Sequence, residues 1–313
     1  MLRSSMIQGV VLMDLLLDLD RHVELEIGNS IWHHQGFSVR ADFIQRAQTY
    51  FDAEVSGLNF ADPGAAGIIN AWVRGQTQGR IEEMVESPID RGTVMFLINA
   101  IYFNGNWTVR FPKNQTRDAI WDPRDLAWPP SVKLMQVSDT FAYAETDTYQ
   151  AVDLPYGGEA FSMTLILPLP AVSMTDLVAG LDAQNWAALA GGLTPSEGTV
   201  CLPRFRMEWE KVLNETLQAM GVKAPFNHYT ADFSSLSDEP EGLFISEVKQ
   251  KTVLNVDEDG TEASGSTSVE ISRESATPGP FVFRADRPFL FLIRERFSET
   301  ILFAGVLNEP PAF

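Results

Sequence analysis

The chain has 313 residues, 45% of them hydrophobic and 21% charged, which is the make-up of a globular protein and excludes a disordered, collagenous or membrane-embedded one. Its 23 Lys and Arg face 42 Asp and Glu, and the formal net charge of -19 repels nucleic acid phosphates and anionic membranes alike. One cysteine, Cys201, excludes an intrachain disulfide framework.

No stretch reaches the roughly 18 apolar residues that span a bilayer, so no transmembrane helix is expected. Met6 to Leu19 is rich in Val, Leu and Met, but Asp14 and Asp18 interrupt it, which the apolar part of an export signal does not tolerate. A half-buried helix is predicted there. Asp42 to Phe51 has helical apolar spacing, and Asp62-Pro63 followed by Ala65 to Met84 reads as a capped helix with proline in its first turn. Met95 to Phe103, MFLINAIYF, is too rich in β-branched and aromatic residues for a helix and predicts a buried central strand. Further strands are expected at Phe141 to Leu154, Phe161 to Leu167, Thr199 to Trp209, Leu243 to Val256, Phe281 to Arg284, Phe289 to Arg294 and Thr300 to Val306. Helices are expected at Met174 to Leu181 and Val212 to Met220. This order is neither regular βαβ alternation nor all-β, so the fold class is α+β, with large mixed sheets and helices on their faces.

A catalytic constellation is missing from this pattern. His22, His33, His34 and His228 are the only histidines, and no G-x-S-x-G elbow accompanies them. Adjacent His33 and His34 lack the i, i+4 spacing of a helical metal pair, and neither phosphate-binding glycine motif occurs. No enzyme, metal site or cofactor is expected.

The informative stretch is Val256 to Pro280, VDEDGTEASGSTSVEISRESATPGP. Its Gly, Ser, Thr, Asp and Glu read as a solvated loop, and one this long is uncommon in a compact domain unless it has a function. Every second residue from Thr261 is small or apolar: Thr261, Ala263, Gly265, Thr267, Val269, Ile271. The alternate register, Glu262, Ser264, Ser266, Ser268, Glu270, Ser272, is polar. That is the period of a strand with one buried face, which implies two conformations for the segment, one of them slid between existing strands; the alternative, which the residues alone favour, is an ordinary flexible linker with chance alternation.

SEVKQKTVLNVDEDGTEASGS (246–266), FRADRPFLFLIRE (283–295), ILFAGVLNEP (301–310), NAIYFNGNW (99–107), DLPYGGEAFSMTLILP (153–168) and ADFSSLSDEPEGLFISEV (231–248) together resemble the serpins, in the family's order and over nearly the whole chain. The resemblance implies one serpin-like domain over 1–313. It implies an α+β fold with three mixed β-sheets, surrounding helices and an exposed reactive-centre loop at about 257–280. It also implies a suicide substrate of a serine or cysteine protease: the cut loop inserts into the main sheet and traps the acyl-enzyme.

On that resemblance Glu258, Gly260, Thr261, Glu262, Ala263, Ser264, Gly265 and Ser266 match the hinge. The reactive bond falls at Glu274-Ser275, for a glutamate-preferring protease, with Arg273 the alternative specificity residue for a trypsin-like one. Asn99 and Trp107 match structural positions under the opening of the sheet, and Gln250 stands where many serpins have a hydrogen-bonding histidine. The match begins at a helix well inside the family fold, so the helices that usually precede it are expected to be missing. A non-inhibitory or inactive truncated relative with a binding role is the alternative. A monomer without nucleic acid or membrane partners is expected; the family implies an extracellular setting, although no signal peptide is read in the chain.

Overall fold

The computed structural model describes residues 2–90, 92–122, 130–239, 243–245, 247–261 and 280–310. In chain order the elements are α1 (Leu2–Leu17), β1 (Val23–His34), α2 (Ala41–Phe51), β2 (Ala53–Leu58), α3 (Ala65–Gln76), β3 (Met95–Asn106) and β4 (Arg117–Ile120). There follow β5 (Ser131–Glu145), β6 (Tyr149–Tyr156), β7 (Phe161–Pro168), α4 (Met174–Ala179), α5 (Ala183–Gly192), β8 (Thr194–Pro203) and β9 (Phe205–Val212). The last are α6 (Asn214–Ala219), β10 (Lys249–Val256), β11 (Gly260–Thr261), β12 (Phe281–Arg284), β13 (Phe289–Glu295) and β14 (Ile301–Leu307). The strands form two sheets, a six-stranded one in the order β2-β1-β3-β11-β10-β9 and an eight-stranded one. The residues group into two compact units, and β3 and β10 each pass from one to the other.

In the first unit, residues 1–17, 25–102 and 208–253, β1 pairs parallel with β2 from Asn29↔Ala53 to His34↔Leu58. Parallel pairing needs a crossover, which α2 supplies, ending at Asp52 in the left-handed region. Trp32, Phe60, Ile69, Val73, Ile81 and Ile98 form a buried cluster. The expected helix over Ala65 to Met84 stops at Gln76, because Thr77 Oγ1 donates to the Val73 carbonyl and accepts from the Ile81 amide, while Gln78 and Gly79 take positive φ. Asn70 then ties the following segment down, accepting from the Met84 and Val85 amides. Helix α1 forms where expected, but Val11, Leu12, Leu15 and Leu17 are exposed and Leu16 is buried, so its apolar side is mostly uncovered. Lower in the same unit β3 and β10 pair directly and in parallel: Ile98↔Lys249, Asn99↔Gln250, Ala100↔Lys251.

The second unit, residues 18–24, 103–207 and 254–313, contains the whole eight-stranded sheet, β12-β8-β5-β6-β7-β13-β14, with β4 beside β5. Strands β7 and β13 are buried along their full length, which is why they read as unbroken apolar runs. Strand β5 has 15 residues and pairs with β4, β6 and β8, so that among the described residues two hydrogen-bonded sheets stand where three were expected. The single strand expected over Phe141 to Leu154 is a hairpin, turned where Thr146 Oγ1 accepts from the Thr148 and Tyr149 amides. The strand expected over Thr199 to Trp209 divides at Arg204, and β10 begins at Lys249 rather than Leu243. Buried Arg294 is compensated by Asp153 at 3.2 Å, which also accepts from the Thr164 hydroxyl.

Candidate functional site

The hinge predicted at 258–266 begins where β10 ends, inside the second unit. Asp257 makes the turn: its Oδ1 accepts from the Asp259 amide at 2.9 Å and the Gly260 amide at 3.3 Å. Gly260 has φ 154, and a Cβ there would lie 2.1 Å from the Gly105 carbonyl oxygen, so only glycine fits so close to β3. After the turn, β11 pairs antiparallel with β10 through Val256↔Thr261 and antiparallel with β3 through Gly260↔Asn106 and Thr261↔Gly105. Two hinge residues are thus already strand.

Each residue of the turn is held by groups far away in sequence. Glu258 is buried and accepts a two-pronged contact from Arg204, Nε at 2.7 Å and Nη2 at 2.6 Å, together with the Thr116 hydroxyl at 2.5 Å. Asp259 pairs with Lys113 at 2.7 Å, from a single 3-10 turn at Lys113–Gln115. The turn 113–116 therefore clasps two consecutive hinge residues. Trp107 is buried; its indole Nε1 donates to the Asp257 carbonyl at 2.9 Å and its backbone amide donates to that of Asp259 at 3.0 Å. Its ring stacks on Tyr156 at 4.4 Å and 14°, and the Tyr156 hydroxyl lies 2.7 Å from Thr261 Oγ1. Burial pushes the Tyr156 phenol upward, against the Thr261 contact, so it is a neutral hydrogen-bonding group.

The two hinge carboxyls respond oppositely to this environment. Burial alone raises Glu258, but the hydrogen bonds from Arg204 and Thr116 outweigh it and hold the group below the ordinary glutamate value. For Asp257 burial wins over the amides of Asp259 and Gly260, and the group is raised. A lowered carboxyl contributes stability that is complete above its ordinary value, about 4.3, and that is lost as the pH falls through the lower folded value. The raised Asp257 runs the other way. The stability difference between the native chain and a Glu258→Gln variant is therefore expected to be constant from about pH 7 to 5 and to shrink below about pH 4, read as urea midpoints; a difference that grows with acid would contradict the Arg204 pairing.

Among the other predicted positions, Asn99 lies on β3 in the first unit, where its Nδ2 donates to Asn29 Oδ1 at 3.0 Å, and Asn29 in turn donates to the Phe51 carbonyl at 2.8 Å. Gln250 sits opposite Asn99 in the parallel register. Glu262, Ala263, Ser264, Gly265, Ser266, Arg273, Glu274 and Ser275 lie outside the described residues. Arg204, Thr116, Lys113 and Tyr156 were not singled out by the sequence. The signal available was the acidic run Asp257-Glu258-Asp259, which needs cations somewhere.

The family model described as "Serpin (serine protease inhibitor)" matches residues 8–310. The chain belongs to the serpin family. Among curated relatives, this serpin is 33% identical over 289 residues to Iripin-2 of Ixodes ricinus, covering 91% of its own length and 72% of the relative's. It is 34% identical over 303 residues to the leukocyte elastase inhibitor of Equus caballus, covering 91% and 78%. It is 34% identical over 289 residues to a serpin-like protein of Thermococcus kodakarensis, TK1782, of whose length it spans 66%. Among solved structures, native Tengpin, a thermophilic serpin, superposes with a TM-score of 0.83 at 30% identity, over 94% of this chain and 76% of that one. Human thyroxine-binding globulin superposes with a TM-score of 0.87 at 26% identity, over 98% and 81%. Serpins are protease inhibitors rather than enzymes, and this fold is also that of a thyroxine-binding globulin.

Proposed function

We propose that this serpin inhibits a serine-type endopeptidase once per molecule, by letting residues 261–272 enter the six-stranded sheet after the loop is cut. The protease serine attacks the carbonyl carbon of Glu274, the amine of Ser275 leaves, and an ester joins the serpin to the enzyme. Insertion of the freed strand then carries the ester away before water can attack it. The stored strain of the uninserted loop is released as new backbone hydrogen bonds and buried apolar faces.

One observation carries this reading: β11 is antiparallel to both β3 and β10, which run parallel to each other. A chain leaving the end of β10 by a tight turn can join those two strands in no other polarity. The two residues of β11 have the direction a longer inserted strand needs, and the alternation of 261–272 supplies its buried face. The small residues Ala263, Ser264, Gly265 and Ser266 favour inhibition over a purely binding role, because bulky side chains there would overpack the sheet.

The test is incubation of the full chain with a glutamate-preferring endopeptidase and, separately, with trypsin. A 1:1 adduct that survives boiling in SDS is expected with the first, along with a released fragment whose first residue is Ser275. A Glu274→Ala substitution is expected to lower the rate of adduct formation by at least tenfold, the loss of a charged contact in a primary pocket. A fragment beginning at Glu274 would move the specificity residue to Arg273, and turnover of the serpin as plain substrate by every protease would refute inhibition.

A further inference from the structure

Inside the second unit, one short stretch of chain brackets the hinge turn. The amides of Trp107 and Phe111 donate to the carbonyls of Asp259 and Glu258 at 3.0 and 3.1 Å. From the same stretch, Thr116 reaches the Glu258 carboxylate, and Lys113 reaches one oxygen of Asp259 at 2.7 Å while Arg110 stands 3.9 Å from the other. The two carboxylates are held in different media. Glu258 is buried, so salt screens its pairing with Arg204 little, whereas the Lys113 side chain is 67% exposed and meets Asp259 at the surface. Asp259 also occupies the place from which a side chain can steer the strand that follows. Only Gly260 separates it from buried Thr261, and a residue without Cβ leaves the chain free to swing.

We propose that Lys113 is a positioning residue for protease capture: through Asp259 it holds the turn where β11 pairs with β3, so that strand growth after the cut starts from rungs already formed. This rests on the insertion reading above. An acyl-enzyme is either captured by insertion or released by hydrolysis, and the fraction of molecules whose first rungs are in place at the cut biases that division. An exposed ion pair adds little to global stability. It nevertheless acts in full on a local opening that breaks it, and the hinge turn is such an opening. Because this arm of the bracket is exposed while the Glu258 arm is buried, the division between capture and release is sensitive to salt through Lys113.

Two measurements on the full chain test this. Without protease, Lys113→Met and Asp259→Asn, the second removing the charge that Lys113 and Arg110 share, are expected to speed hydrogen exchange at the Asp257, Asp259 and Gly260 amides about twofold to fivefold, the range an exposed ion pair commands. The urea midpoint is expected to stay at the wild-type value. With the glutamate-preferring endopeptidase, the ratio of SDS-stable adduct to released, nicked serpin is expected to fall by a similar factor in both variants, and Lys113→Arg to keep it at the wild-type level. In the wild type that ratio is expected to fall between about 0.05 M and about 1 M NaCl, as the screening length drops to roughly 3 Å, and in Lys113→Met to stay flat. Unchanged exchange in Asp259→Asn overturns the bracket, and faster exchange with an unchanged ratio overturns its part in capture. A ratio that falls together with the urea midpoint, or that Lys113→Arg also lowers, overturns positioning in favour of plain structural support. A wild type that forms no adduct refutes the inhibitory reading, and the exchange measurement, which needs no protease, still decides whether Lys113 holds the turn.

Discussion

Replacing Thr261 by arginine is expected to turn the inhibitor into a substrate: cleavage at the loop continues, while the SDS-stable adduct falls below about a tenth of the wild-type yield. Thr261 is fully buried, and its hydroxyl meets that of Tyr156 at 2.7 Å. A guanidinium there has no carboxylate beside it in β3, where the facing residue is Gly105. Burying it unpaired costs several kcal/mol, so the first rung of the inserting strand would be expelled and the acyl-enzyme would hydrolyse before capture. Thr261→Ser keeps the hydroxyl and is expected to retain at least half of the yield. If Thr261→Arg still forms the adduct at wild-type yield, β11 is not where insertion starts.

The second large effect is an asymmetry within the hinge ion pair. Glu258 is 1% exposed, whereas the Arg204 side chain is 36% exposed. Arg204→Met leaves a buried carboxylate with the Thr116 hydroxyl and its own backbone amide but no cation, and is expected to cost about 3–5 kcal/mol, the range for breaking a buried pair from one side. Glu258→Gln leaves a partly hydrated guanidinium and keeps an oxygen acceptor, so about 1–2 kcal/mol is expected, nearer the worth of a charge-assisted hydrogen bond. Urea midpoints of the two variants at pH 7 rank them. Equal losses would mean that Arg204 is rehydrated no better than Glu258 and would contradict the asymmetry.

Much of the scaffold was legible from residues buried on both faces. FSMTLILP in β7 and FLFLIRE in β13 are apolar because both their faces are buried, whereas MFLINAIYF in β3 buries one face, with Ile98, Ala100 and Tyr102 covered and Leu97 exposed. Strand β1 was not predicted, because Glu24, Glu26 and Asn29 break its apolar pattern, VELEIGNSIWHH. Helix α5 escaped because its ten residues include two glycines and its start depends on Asp182 accepting from the Asn185 amide. The hinge was legible as a local motif, yet its restraints were not. Thr116 is 142 positions from Glu258 and Arg204 is 54, and no local pattern encodes contacts of that range. The register of β3 against β10, on which the polarity of insertion depends, is likewise a property of the folded sheet.

The most direct measurement is the melting temperature of the chain before and after a single cut between Glu274 and Ser275. Residues 262–272 entering the sheet behind Thr261 would add on the order of ten backbone hydrogen bonds at about 1 kcal/mol each. At about 1.5 °C per kcal/mol for a chain of 313 residues that predicts a rise of roughly 15 °C. A nicked chain that melts within about 3 °C of the intact one, less than the shift of a couple of kcal/mol, would show that the severed segment stays outside the sheet and would contradict the account.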